Sequence, residues 1–316
     1  MKKLVKLLSF MLVLTLFACG NNTGSASSNN GEKVYKIGTL QLVQHSALDA
    51  SYSGFVDYLN SKNIKFEMDY NNASGEQAAC QTIAEKFANA NLDLCYAIAT
   101  PAAQSIVAYI DSVPIVASAV TDPAASGLCK DNNAPGGNLT AASDLTPVEA
   151  QFDLLTELLP EAKKVGILYC SAEANSKIQS NMALEAAKKR NLEATEYTVV
   201  SSNDIQTVVE SMIGKVDVVY VPTDNIISAG FDTVATICND NNLPTIVGEE
   251  GMVEKGGLAT YGIDYYSLGK LAGQLAEDIL VNGKDPGSIK VAYLDANSCT
   301  RKVNQDTAKI LGLNIQ

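Results

Sequence analysis

From Tyr35 onward the chain alternates two kinds of segment. Short apolar runs rich in β-branched residues are followed by stretches whose apolar residues recur at helical spacing. The runs at 35–40, 65–70, 92–99 and 114–120 read as strands. Residues 47–62 (with Leu48, Phe55, Val56 and Leu59 on one face), 76–90 (Ile83, Ala84 and Phe87) and 102–110 read as helices. Alternation of this kind predicts parallel strands joined by crossover helices on both faces of a sheet. Residues 134–147, APGGNLTAASDLTP, break the pattern with Gly, Pro and small polar residues and read as a linker or hinge. The pattern then restarts. Helices are predicted at 147–159, 176–190, 204–213 and 228–241, and strands at 164–170, 194–200, 217–222, 244–248 and 257–262. A long helix at 265–282 and a strand at 290–294 follow. The expectation is two α/β units in tandem, with the last two elements available for exchange between them and 257–262 suited to a second crossing.

The first 18 residues are of another kind. MKKLVK is basic, and LLSFMLVLTLF is apolar but shorter than the ~20 residues a spanning helix needs. Residues 1–18 therefore read as a signal peptide. Leu16-Phe17-Ala18-Cys19 has the form of a lipobox, which marks Cys19 for diacylation. Residues 19–33 contain no apolar side chain larger than Ala apart from Cys19 itself and Val at the boundary beyond, and read as a flexible tether. Two acyl chains hold a protein to a membrane where one does so only marginally. The expected location is extracytoplasmic, on the cell membrane of a bacterium. The net charge is −12, and losing Lys2, Lys3 and Lys6 makes it three units more negative. Such a surface argues against nucleic acid as a partner. The six further cysteines (Cys80, Cys95, Cys129, Cys170, Cys238 and Cys299) form no CxxC pair, and His45 is the one histidine. Ligands for zinc are scarce, no metal or other cofactor is expected, and most of the thiols are expected to be free.

The motifs of Walker A, GxSxG, HExxH and GxGxxG are all absent, so no catalytic residue is assigned. What recurs is polar residues directly after strands. Gln44 and His45 follow the first strand, Thr100 and Pro101 the third, and Ser118, Thr121 and Asp122 close the fourth. Glu173 and Asn175, then Thr223, Asp224 and Asn225, follow two strands of the second unit. In open α/β sheets ligands bind beyond the carboxyl ends of strands. Each tip by itself is also a good helix N-cap. Two carboxylates, Glu173 and Asp224, facing one cleft would repel unless a cation stood between them. The tips of the first unit lead into helix N-termini, which attract anions. One lobe for an anion and one for a cation suits an amino acid.

Taken in order, IGTLQLVQHSALD, IATPAAQ, VTDPAASGL, GGNLTAASDLTP, SAEANS, VPTDN and GIDYYSLG span nearly the whole chain past the tether. This set resembles the substrate-binding lipoproteins of ABC importers, in the group associated with tryptophan, tyrosine and phenylalanine. The resemblance implies a type I periplasmic-binding fold: two Rossmann-like lobes, three crossing strands and a ligand trapped in the interlobe cleft. It implies an N-terminal lobe of 34–142 plus 263–290 and a C-terminal lobe of 143–262 plus 291–316, with hinges near 142–144 and 261–263. It also implies partners, an ABC permease and its ATPase. By position, Pro101, Ser118 and Asp122 count among the ligand-binding residues, and Thr100 and Thr121 with nearby backbone N–H groups hold the ligand carboxylate. Glu173 and Asp224 hold its ammonium, Asn175 and Asn225 orient them, and Gln44 and His45 border its side chain. Two departures bear on pocket shape: Ser46 stands where the family pattern has Pro, and Cys170 precedes the SAEANS loop where a non-thiol residue is usual. A sugar or other small polar solute, an adhesin or sensor role on the same fold, and a tethered hydrolase are the alternatives. The absence of Trp weakens a sugar-stacking site.

Overall fold

The computed structural model describes residues 33–295 and 298–315. The leader, Cys19 and almost all of the tether lie outside them. The strands are β1 (Val34–Gln41), β2 (Lys65–Asn72), β3 (Leu94–Ile98), β4 (Ile115–Ser118), β5 (Leu139–Ser143), β6 (Lys164–Cys170), β7 (Glu193–Val199), β8 (Val218–Val221), β9 (Thr245–Val247), β10 (Ala259–Gly262), β11 (Ala292–Tyr293) and β12 (Thr300–Val303). The helices are α1 (Ser46–Ser61), α2 (Gln77–Ala88), α3 (Thr100–Tyr109), α4 (Val148–Leu158), α5 (Ala174–Lys189), α6 (Ile205–Met212), α7 (Asn225–Ala229), α8 (Phe231–Asp240), α9 (Glu250–Glu254), α10 (Tyr265–Leu280) and α11 (Gln305–Ile310).

Two six-stranded sheets result, in the orders β11-β5-β4-β3-β1-β2 and β12-β10-β9-β8-β6-β7. All pairs are parallel except β10 with β12. The central strands are buried on both faces, as parallel strands covered by helices on each side require. In the first lobe Phe55 of α1 stacks on Tyr96 of β3 with centroids 3.9 Å apart. In the second lobe one face of the sheet packs Val209 and Phe231, and the other packs Phe152 and Tyr220.

The chain passes between lobes after β5, after β10 and between β11 and β12. The second passage returns α10 to the first lobe, where it packs on α1. Backbones meet so closely there that a Cβ on Gly54 would fall 2.0 Å from the Tyr266 carbonyl oxygen, and one on Gly269 would fall 1.9 Å from that of Ser51.

Several expectations shift. Ala292 and Tyr293 pair with Ala142 and Ser143, so the first lobe extends through Tyr293 and does not end at 290. The linker at 134–147 contains β5, fully buried. The helix expected at 228–241 is two helices meeting at Gly230, whose added Cβ would strike Ile205 at 2.6 Å. β12, a polar edge strand, had no strand reading. Cys80, Cys95, Cys129, Cys170, Cys238 and Cys299 are all free, four of them buried. No helix among the described residues is long and apolar enough to cross a membrane.

Candidate binding cleft

The carboxyl ends of both sheets open onto one cleft, and side chains of the two lobes touch across it. His45, at the N-cap of α1, is buried and its Nε2 lies 3.3 Å from Asn225 Oδ1 in the second lobe. The Asn225 Nδ2 donates to Glu173, which fixes the amide so that Oδ1 faces the imidazole. Nε2 therefore carries the proton, and Nδ1 is a buried acceptor with no protein partner. Burial drives the His45 pKa down to about 4, so the ring is neutral.

Glu173 stands at the N-cap position of α5, where its side chain makes no capping bond, and is 2 % exposed. Its Oε1 accepts from the Ile226 N–H at 2.9 Å, and its Oε2 accepts from Asn175 Nδ2 at 3.2 Å, from Asn225 Nδ2 and from the Asn225 N–H at 3.4 Å. Asp224 is fully buried beside it. Its Oδ1 accepts from the Ile227 N–H at 2.8 Å, capping α7, and its Oδ2 accepts from the Cys170 N–H at 2.5 Å. No ion pair among the described residues includes either carboxylate. Burial pushes both acids up, and the Asp224 charge pushes Glu173 further. Asp224 thus faces backbone N–H groups, the Ser176 hydroxyl and a second carboxylate, with no side-chain cation opposite among the described residues.

In the first lobe, Thr100 opens α3 and is fully buried, and its Oγ1 has no protein partner. The preceding Ala99 has φ +84° and ψ 153°, a region nearly confined to glycine, and Ala119, after β4, has φ +54°. Non-glycine residues held there cost of order 1–3 kcal/mol and concentrate at functional sites. Thr121 has a spent hydroxyl: Oγ1 donates to Asp144 Oδ1 at 3.1 Å and accepts from Gln179 Nε2 at 3.1 Å.

A cavity of about 290 Å³ lies between the lobes, with Leu42, Gly75 and Pro101 on one side and Cys170, Glu173, Val200 and Ile226 on the other. Larger cavities of about 500 and 530 Å³ lie at the base of the second lobe and beside the crossing segments, away from these polar groups.

The structure thus puts Pro101 and Glu173 on the cavity wall, with Thr100 beside Pro101, joins His45 to Asn225 between the lobes, and sets Asn175, Asn225 and Asp224 around Glu173. It leaves three expected residues apart. Ser118 is held beneath α1 by the hydroxyls of Ser51 (2.8 Å) and Tyr96 (2.7 Å). Asp122 caps a surface turn through the Ala125 N–H and Asn132 Nδ2. Gln44 is exposed. The sequence reading missed Gln179, Asp144 and Tyr265. Burial pushes the Asp144 pKa up to about 6 against the hydrogen bonds from Tyr265 and Thr121. A signal for Gln179 was present in α5, whose N-terminal half carries Asn175, Ser176, Gln179 and Ser180 at the spacing of one helix face, while the C-terminal half buries Ala183, Ala186 and Ala187.

Residues 36–316 match the family described as ABC transporter substrate binding protein. The chain belongs to that family. A tyrosine-binding protein of Clostridioides difficile (strain R20291) is 39% identical over 327 residues, covering 99% of this chain and 94% of the relative. Among solved structures, an ABC domain in complex with L-Trp from Streptococcus pneumonia superposes with a TM-score of 0.87 at 35% identity, covering 90% of this chain and 96% of that one. The ligand-free, open structure of a substrate binding protein with adhesive properties from Clostridium difficile has a TM-score of 0.68 at 39% identity over the same shares. The nearer sequence of these two superposes less well. The arrangement of lobes in this substrate-binding protein is therefore closer to that of the Trp complex, in keeping with the His45–Asn225 and Gln179–Thr121 contacts across its cleft. The match extends to a type I periplasmic-binding architecture of two lobes.

Proposed function

We propose that this ABC transporter substrate-binding protein captures an aromatic amino acid (tyrosine, tryptophan or phenylalanine) and delivers it to an ABC permease powered by its ATPase. The family is one of solute receptors working outside the cytoplasm. Tethering through a lipid on Cys19, after removal of residues 1–18, is part of the proposal, as are hinges in the crossings after β5 and β10.

The observation that carries the reading is the buried carboxylate pair, Glu173 and Asp224, with no cation of the described residues against it. Two acids buried together demand a neutralising charge, and a ligand ammonium supplies one. Glu173 borders the cavity and takes the ammonium, with Asn175 Oδ1, a buried acceptor lacking a protein partner, beside it. Asn225 holds Glu173 in place. Asp224 acts through its charge, since backbone N–H groups occupy its oxygens. Across the cleft the Thr100 hydroxyl and the N-terminus of α3 take the carboxylate; Thr121 contributes position and not its hydroxyl. Leu42, Pro101, Val200 and Ile226 give the cavity apolar walls for a ring, and neutral His45 borders it. The tyrosine-binding relative and the L-Trp complex support the aromatic class.

The test is a thermal-shift screen of the protein from residue 20 onward against the twenty amino acids and common sugars. A ligand at a hundredfold excess over its Kd adds ~2.7 kcal/mol. Stabilisation by aromatic amino acids is expected. Stabilisation by a sugar, with none by any amino acid, would overturn the reading.

A further inference from the structure

A soluble helix that buries a polar stripe needs something polar to bury it against. On α5 the stripe is Asn175, Ser176, Gln179 and Ser180, each 2 % exposed or less. Gln179 spends both ends of its amide. Its Nε2 donates to Thr223 Oγ1 in its own lobe and, at 3.1 Å, to Thr121 Oγ1 in the other; its Oε1 accepts from the Thr223 N–H at 3.3 Å. Thr121 hands its own proton to Asp144 Oδ1 at 3.1 Å, and Asp144 Oδ2 accepts from Tyr265 OH at 2.8 Å. Asp144 stands in the first crossing, and Tyr265 opens α10 just after the second. One buried chain of hydrogen bonds therefore links a strand tip of each lobe with both crossings.

We propose that Gln179 is a positioning residue that bolts the lobes together on closure. The proposal rests on the reading of this protein as a receptor that closes on its ligand. Gln179 touches neither the ammonium nor the carboxylate subsite; it acts through Thr121 and Thr223. In a separated arrangement water satisfies the Gln179 amide and the Thr223 N–H. In the closed one only each other and Thr121 can. Removing the amide therefore raises the free energy of the closed state and leaves the separated state nearly as it was.

The test uses Gln179→Met, which keeps the length of the side chain, with L-tyrosine as the probe. The expected result is a loss of affinity by calorimetry of about tenfold, ~1.4 kcal/mol. Stopped-flow tyrosine fluorescence should assign it to faster dissociation with an unchanged association rate, and the ligand-free melting temperature should stay within a degree or two of wild type. Equal affinity in variant and wild type overturns the proposal. So does a loss of affinity matched by a large fall in the ligand-free melting temperature, which makes Gln179 a folding residue. If wild type binds no aromatic amino acid, the ligand class falls but the bolt does not. The comparison is then made with the amino acid or sugar that most stabilises wild type in the thermal-shift screen: a loss of its affinity of about tenfold in Gln179→Met supports the bolt, and equal affinity overturns it.

Discussion

Replacing Glu173 with Gln separates binding from folding. The side chain is 2 % exposed and accepts from four donors, all in its own lobe. A neutral amide keeps the shape and the bond from the Ile226 N–H, and rotation of the Asn225 amide, with a change of tautomer at His45, gives the new side chain's Nε2 an acceptor. What is lost is the charge an ammonium would meet. Breaking a buried ion pair by removing one partner costs ~3–5 kcal/mol, and ~1.4 kcal/mol is tenfold in affinity, so the loss should be roughly a hundredfold to a few thousandfold. The lower end is expected near neutral pH, because burial and Asp224 already raise the proton affinity of Glu173 and part of the ligand's attraction goes into expelling that proton. The effect on stability has the opposite sign. An acid whose folded pKa lies above its ordinary value of 4.5 binds more protons folded than unfolded, so stability falls as pH rises from there toward the folded value. Gln carries no such cost, and ligand-free Glu173→Gln should melt at or above the wild-type temperature at pH 7–8. Titration calorimetry with L-tyrosine and L-tryptophan, beside ligand-free melts, makes the comparison. Affinity within threefold of wild type would refute the assignment, as would a weakening that merely follows a drop in melting temperature.

Ligand binding should also release protons: calorimetry near pH 7 in buffers of different ionisation enthalpy should give buffer-dependent heats, and affinity should rise with pH while the carboxylate pair deprotonates. Buffer-independent heats would mean the pair is already ionised without ligand. Asp224→Asn keeps the N-cap bond from the Ile227 N–H and removes one charge, so L-tyrosine affinity should fall about tenfold, ~1.4 kcal/mol, while the Nδ2 set against the Cys170 N–H lowers the urea midpoint; an unchanged Kd would show that its charge does not reach the ligand. Gly269→Ala drives a Cβ to 1.9 Å from the Ser51 carbonyl oxygen, forcing α1 and α10 apart. Overpacking of that kind costs ~1–3 kcal/mol, and urea denaturation should show the loss, with a wild-type midpoint contradicting the packing.

Most of the framework is legible in the sequence because buried parallel strands need continuous apolar runs. KVGILYC at 164–170 coincides with β6 to the residue. The failures lie where that requirement lapses. β12 reads TRKV, an antiparallel edge strand with no fully buried residue, and leaves no apolar signature. β11 is two residues long, and nothing local says which sheet it joins; the partner is Ala142–Ser143, about 150 positions earlier. The strand tips were visible, but their use was not. Ser, Thr and Asp at a tip can cap, pack or face a ligand, and distant atoms decide which. Ser118 is claimed by Ser51 and Tyr96, Asp122 by Asn132, and Asp224 by the Cys170 N–H, 54 residues away. The polar stripe of α5 was readable by spacing alone, yet in a water-facing helix it would mean nothing. It gains meaning only once burial is known.

Asp224, just past the strand at 217–222, gains a use beyond capping from its neighbour Glu173. By itself, Glu173 in a pocket rich in amide donors is well served: four hydrogen bonds stabilise its ionised form, and a neutral guest could lie beside it at little cost. Asp224 changes that balance. Its charge, held by the Ile227 and Cys170 N–H groups and shielded from water, makes the ionised state of Glu173 expensive. Two stable outcomes remain, a proton on the pair or a cation against it. A closed cleft with an ammonium inside satisfies the second; a sugar or a carboxylic acid without an amine leaves only the first. Selectivity for an amine therefore comes from the penalty that the second acid sets on every guest that lacks one. On this account Asp224→Asn should narrow the gap between L-tyrosine and its deaminated analogue, 3-(4-hydroxyphenyl)propionate, from both sides. A gap equal to that of wild type would mean the donors around Glu173 select the amine without help from the second charge.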